Sequence, residues 1–312
     1  MLNRGLSLLA RWAMPIIGAS IFVALALPAL AALLRPTLEP AVIVLITLAI
    51  ARLDASKLRH YGRRPALALA VLAWTLLISP LAAWAVAMAA GLAPALLVAV
   101  VLNAASAPLM SSVPYCQLLG LDGELSLLVM LSATFLMPAT LLFVLFGLLG
   151  LEAEIALTDF LLRTALFIGL PLLLAWVIRR LAPPGWTETN AQPIDGAMVV
   201  MLVLVAFAIM DGVAAQLLAD PALGAMIVAL AFGVSIALHA SSAAAFWWMG
   251  RRAALSMAVT CGNRNLIILL VILGDALGPE FALYVALGQF PIYLMPVAIK
   301  PIVRRLVGPA PA

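Results

Sequence analysis

The sequence predicts an all-α integral membrane protein with ten transmembrane helices in two inverted five-helix repeats. Three observations carry that prediction. The 312 residues are 66% hydrophobic and 10% charged, with mean hydropathy +1.22, whereas a soluble domain is about half apolar. The basic residues gather at the ends of apolar runs. Two apolar runs in corresponding parts of the two halves are each interrupted by helix breakers and polar residues.

This composition leaves no room for a large soluble domain. The net charge of +4 reads as membrane orientation, not nucleic-acid binding, because of where the basic residues fall. The opening MLNRGLSLLARWAMP does not read as a signal peptide, since its apolar run continues without a cleavage pattern. Cys116 and Cys261 both lie within apolar segments, so no disulfide framework is expected.

Hydropathy places the spans at Trp12–Leu33, Pro40–Leu53, Pro65–Ala90, Leu92–Leu119, Leu125–Leu149, Phe160–Ile178, Gly196–Met210, Pro221–Met249, Ala253–Leu273 and Phe281–Val303. The second and seventh are short and must extend into their flanks. With the N-terminus inside, the inner side collects Arg4, Arg11, Arg52, Lys57, Arg59, Arg63, Arg64, Arg179, Arg180, Arg251, Arg252, Lys300, Arg304 and Arg305, and the outer side Arg35. The positive-inside rule therefore puts both termini in the cytoplasm, and a bacterial inner membrane is the expected location.

The halves, 1–152 and 153–312, echo each other. Pro65-Ala66-Leu67 opens the third span and Pro221-Ala222-Leu223 the eighth; Leu136-Met137-Pro138 lies in the fifth and Leu294-Met295-Pro296 in the tenth. Five spans per half is an odd number, so the second copy must be inverted, a signature of secondary transporters.

The ninth span carries Thr260-Cys261-Gly262-Asn263-Arg264-Asn265 in its middle. An Arg near a bilayer centre costs about 2.5–3.5 kcal/mol on insertion scales, so it faces a cavity or a partner. Gly262 relaxes the helix there. In the fourth span Pro108 and Pro114 remove backbone donors, beside Asn103, Ser106, Ser111 and Ser112. The two breaks are expected to cross near mid-membrane, with half-helix N-termini starting near Ser111 and Asn263. Together with the Arg264 charge, that field favours an anion.

At these residues the chain resembles the bile acid:sodium symporter family. The resemblance implies a core of spans three to five and eight to ten that moves against a panel of spans one, two, six and seven. It also implies that the fourth and ninth helices unwind where they cross. The family's Pro-Gly-Gly keeps only Pro108 here, with Leu109 and Met110 in place of the glycines. Its Glu-x-Gly-x-Gln-Asn keeps Gly262 and Asn265, with Thr260 for the Glu and Arg264 for the Gln. A third-span Gln five residues before a Pro becomes Thr75 before Pro80, while Ser132 and Thr134 retain fifth-span hydroxyls. These positions are the family's sodium ligands, and losing the carboxylate while adding a guanidinium should weaken cation binding.

The resulting expectation is a secondary transporter of a small organic anion, working by alternating access in a lipid bilayer. Asn103, Ser111, Ser112, Asn263, Arg264, Asn265 and Gln289 would contact substrate. Thr75, Ser132, Thr134 and Thr260 form a weak ion site, and Pro108 and Gly262 break the helices. No cofactor, resident metal or nucleic-acid partner is expected, and sodium or a proton is left open as the coupling ion. His239 reads as a packing histidine or a proton-handling group. Asp122 and Glu124 read as a solvated helix start. Zinc-protease HExxH and the Gly-x-Ser-x-Gly turn are absent, so an enzyme is not expected. The alternatives are a sensor or scaffold on a transporter fold and a passive anion channel.

Overall fold

The computed structural model describes residues 2–52, 65–151, 155–183 and 185–308. The basic residues Lys57, Arg59, Arg63 and Arg64, on which the orientation partly rests, lie outside them. Among the described residues the regular structure is helical throughout, with turns between the helices and one isolated β-bridge. That is what an apolar chain in lipid requires, because a helix satisfies its backbone groups internally where no water can.

In chain order, α1 (Leu2–Arg11), α2 (Ala13–Ala26), α3 (Pro28–Leu34) and α4 (Leu38–Ala51) come first. Next are α5 (Pro65–Ala73), α6 (Ser79–Ala89), α7 (Pro94–Ala105), α8 (Ser112–Leu118) and α9 (Gly123–Leu142). The second half holds α10 (Leu157–Thr164), α11 (Leu170–Leu181), α12 (Trp186–Thr189), α13 (Ala191–Ile209), α14 (Val213–Ala219) and α15 (Pro221–Ala245). It ends with α16 (Arg251–Gly262), α17 (Leu266–Leu273), α18 (Gly278–Leu287) and α19 (Gln289–Val307).

Among the described residues, seven helices are long and apolar enough to cross a membrane: Pro28–Ala51, Ala66–Ala89, Gly123–Leu148, Leu157–Leu181, Ala191–Ala219, Pro221–Ala245 and Gly278–Val307. The first expected limits need correction. The chain divides at Leu27, not between Leu33 and Pro40, so Pro28–Ala51 is one continuous helix. The residue before a proline is pushed out of the helical region, and Leu27 sits at φ −122°, ψ 65°. Pro28 then occupies the first helical turn, where its missing N–H costs nothing. The fourth and ninth expected spans are each in two pieces, α7 with α8 and α16 with α17.

The chain forms two compact units, Met1–Leu53 with Leu157–Ala225, and Asp54–Ala156 with Met226–Ala312. In the first, α13 packs on α1, α2 and α4. Gly196 of α13 lies against the Leu6 backbone, where a Cβ would overlap the Leu6 carbonyl. Arg52 and Asp195 form a two-pronged pair with both N···O distances 2.9 Å. The second unit carries both broken helices.

Among the described residues, wide π turns interrupt three helices, at Trp74–Ile78, Phe143–Leu148 and Ala165–Gly169. Two of them stand just before a proline, Pro80 and Pro171. A proline in a helix has no N–H to donate and its ring crowds the preceding turn. The backbone adapts locally by widening.

Candidate functional site: the crossing of two broken helices

The site is built from two chain ends leaving their helices. Helix α7 stops at Ala105 because Ser106 turns extended, at φ −68°, ψ 152°, and Pro108 follows. Helix α16 stops at Gly262, and Asn263 is extended at φ −97°, ψ 106°. The two extended stretches run antiparallel and pair. Leu109 N donates to Asn263 O at 2.8 Å, and Asn265 N donates to Ala107 O at 2.8 Å. Pro108 and Arg264 face each other between these bonds. That position in an antiparallel pair makes no backbone bond of its own, so the proline's missing N–H does no harm.

Arg264 is 1% exposed and among the largest fully buried side chains. Its Nη1 donates to the carbonyls of Thr75 at 3.2 Å and Ser106 at 2.9 Å, and its Nη2 to Ser79 Oγ at 3.3 Å. Each acceptor has a local cause. In the wide turn, Ser79 N bonds back to Trp74 O. The next donor along the ladder would be Pro80, which has none, so the Thr75 carbonyl is left over. The Ser106 carbonyl is freed because the chain leaves the helix there. A cation suits such carbonyl-rich helix ends. Nε of Arg264 is buried without a partner, and among the described residues no carboxylate lies within ion-pair distance of the guanidinium.

Asn263 Nδ2 donates back to Val259 O at 2.9 Å, closing the end of α16, while its Oδ1 is buried and unpaired. Asn265 is half-buried and bonds through its backbone. Gly262 lies against the ring of His239, leaving no space for a Cβ. His239 is 5% exposed, with Nδ1 2.7 Å from Ser235 O and Nε2 without a partner.

The remaining expected site residues divide. Thr75 is buried at the crossing, its Oγ1 donating to Val71 O at 2.7 Å and lying 3.3 Å from Cys261 Sγ. Thr260 is buried one turn earlier, within bonding distance of Ser126 Oγ (2.8 Å) and Ser256 O (2.7 Å). Asn103 Nδ2 donates to Tyr284 Oη at 2.9 Å, tying α7 to α18. Gln289 Nε2 donates to Val285 O on its own stretch of chain. Ser111 caps α8 without a side-chain cap bond, and Ser112 is buried with an unpaired Oγ. Thr134 bonds within its own helix, to Met130 O. Ser132 faces a crevice with Ala68, Val71 and Val129. Helix α9 reaches the crossing instead through Met137, whose Sδ accepts from Ala107 N at 3.3 Å.

Ser79 and the carbonyls of Thr75 and Ser106 are not among the site groups expected from the sequence. Ser79 had a signal: Thr75 and Ser79 are four apart on one helix face, immediately before a proline. Among the described residues no group of three His, Cys, Asp or Glu side chains is placed to hold a metal ion.

Compared with known families, the chain matches the family model described as Sodium Bile acid symporter family over residues 39–220, more than half its length. The match includes the Ser106–Ser111 break and Thr75 but stops before Arg264. No curated protein matches the chain.

Proposed function

The chain belongs to the Sodium Bile acid symporter family, whose members are transporters, and on that premise we propose that it is a secondary transporter of a small organic anion with little or no sodium coupling. The observation that carries this reading is the guanidinium of Arg264, buried at the crossing and held by three oxygens without a carboxylate at ion-pair distance among the described residues. A charge so buried keeps its neighbourhood positive, and an anion entering the break would offset it. The same three oxygens are hard donors of the type that sodium takes. With the guanidinium on them, they are engaged by a tethered cation that cannot leave.

In this reading the seven long spans are joined by three divided ones, α1–α2, α7–α8 and α16–α17, giving ten crossings in two inverted repeats. The unit of Asp54–Ala156 with Met226–Ala312 would be the moving core, and the other unit the panel. Alternating access would carry the crossing between the two sides of the membrane. Arg264 Nε, the donor left unpaired, is the group offered to the anionic end of the passenger, and the unpaired acceptor Asn263 Oδ1 would take a hydroxyl or N–H elsewhere on it.

The test is uptake of radiolabelled organic anions into proteoliposomes in sodium and in choline media. Saturable uptake and counterflow that are equal in both media support the proposal. Steep sodium dependence overturns the uncoupled reading. Binding without flux would make the chain a sensor, and non-saturating, voltage-following flux a channel.

A further inference from the structure

His239 projects from α15 onto Gly262, the last residue of α16 before the break, at a contact so close that no side chain fits there. Its Nδ1 lies 2.7 Å from Ser235 O. A carbonyl oxygen only accepts, so Nδ1 carries the ring proton and Nε2 presents a lone pair. That lone pair is buried and has no partner. The donors of the wide turn are committed elsewhere: Trp74 Nε1 donates to Ser242 Oγ at 2.9 Å, and Thr75 Oγ1 is engaged by Val71 and Cys261. Arg264 of the broken helix is the charged group whose field acts on the ring. Cys261 is the titratable thiol beside Gly262, and the residues from the wide turn, Trp74 and Thr75, carry no titrating group.

We infer that Nε2 of His239 is the proton site that couples this transporter, so that one proton travels with the anion. The inference rests on the transport reading above and names the ion that drives it. A basic nitrogen with a free lone pair can take a proton without needing a cavity, unlike a metal ion. Taking it creates a second cation around the break, beside Arg264, with no acidic side chain at ion-pair distance from Arg264 among the described residues. A bound organic anion supplies the missing negative charge. The proton therefore favours the anion, and by linkage the anion favours the proton to the same degree. The proton is drawn from water on the side where the site is open and returned to water on the other side when the anion leaves, so nothing is consumed. The ring's contact with Gly262 puts the charge change on the helix end that leads into the break.

The experiment uses sodium-free proteoliposomes of the full chain containing a trapped pH dye. They are offered taurocholate, benzenesulfonate and isethionate in turn. Sulfonates stay ionised and carry no proton through lipid by themselves. Internal acidification that tracks sulfonate entry, at about one proton per anion, is the expected result. His239→Asn keeps a donor for Ser235 O but removes the ring nitrogen that accepts, and should lower protons moved per anion at least tenfold. Sulfonate entry in the wild-type chain without acidification overturns the inference and leaves the transport reading standing. Acidification unchanged in His239→Asn also overturns it. Entry of none of the sulfonates overturns the transport reading, and the inference falls with it.

Discussion

The carbonyl of Thr75 accepts from Nη1 of Arg264 at 3.2 Å, across nearly two hundred residues of sequence, because Pro80 cannot supply the N–H that a helix would otherwise offer it. The proline and the arginine are thus two halves of one arrangement. One leaves an acceptor open inside the membrane; the other closes it with a charged donor. A double-mutant cycle tests this directly. Arg264→Met alone strands the carbonyls of Thr75 and Ser106, and each buried unpaired acceptor costs about 1–3 kcal/mol. Pro80→Ala restores a helical donor for Thr75. The cost of Arg264→Met should therefore be smaller in the Pro80→Ala background by about 0.5–3 kcal/mol, the usual range for coupled residues. Denaturant titration of the four proteins in detergent reads the difference, and strict additivity would show that the proline does not create the demand.

Arg264→Gln places at the crossing the residue type that the family pattern carries there. It removes the charge and gives back the oxygens of Thr75, Ser106 and Ser79, which now hold the guanidinium. Sodium should become able to use them. The expected result is a melting temperature for Arg264→Gln that is higher in sodium chloride than in potassium chloride, while the unaltered chain melts alike in both. A combined Thr260→Glu, Arg264→Gln chain, with a carboxylate restored one turn away, should respond more strongly still. A sodium effect of equal size in the unaltered chain would mean that the guanidinium is not blocking an ion site.

Arg264→Ala removes both the charge and the bonds. Anion affinity should fall at least tenfold, which corresponds to about 1.4 kcal/mol or more. Arg264→Lys should retain part of the affinity, since an ammonium keeps the charge but lacks the planar fork that reaches two carbonyls and a hydroxyl together. Isothermal titration with the best-bound anion measures both. Undiminished affinity in a folded Arg264→Ala chain would assign the guanidinium a purely structural part.

How far this arrangement is legible in the sequence depends on which atoms carry it. Arg264, Gly262 and Pro108 stand out because a charge and two helix breakers are costly inside long apolar runs. The acceptors that hold Arg264 do not stand out, since two of the three are main-chain carbonyls, which every residue has. Only the wide turn before Pro80 singles out the one at Thr75, and a turn's width is not written in residue types. Thr134 shows the other side of this: a hydroxyl in an apolar run looks available in sequence, and in the fold it bonds to Met130 one turn back, the ordinary fate of Thr in a membrane helix. The first span limits failed at Leu27 for a similar reason. Pro28 and Pro36 both look like helix breaks, and the chain resolves them differently: the first opens a new helix, the second sits in a tight turn within it.

At the glycine that ends α16, a packing cause can be separated from a backbone one. Gly262→Ala adds one methyl where the His239 ring already lies. Overpacking of a tight core contact costs about 1–3 kcal/mol, and this ring is also held at Nδ1 by Ser235 O, so it cannot simply swing aside. The variant should melt several degrees lower. Replacing the ring as well, in Gly262→Ala with His239→Ala, opens the space and should recover most of that loss, although His239→Ala alone destabilises by leaving a void. Recovery in the pair, read by melting temperature, would show that contact with this one ring is why position 262 needs a glycine. A loss that persists without the ring would instead assign the glycine to the backbone path out of the helix, where Asn263 turns extended.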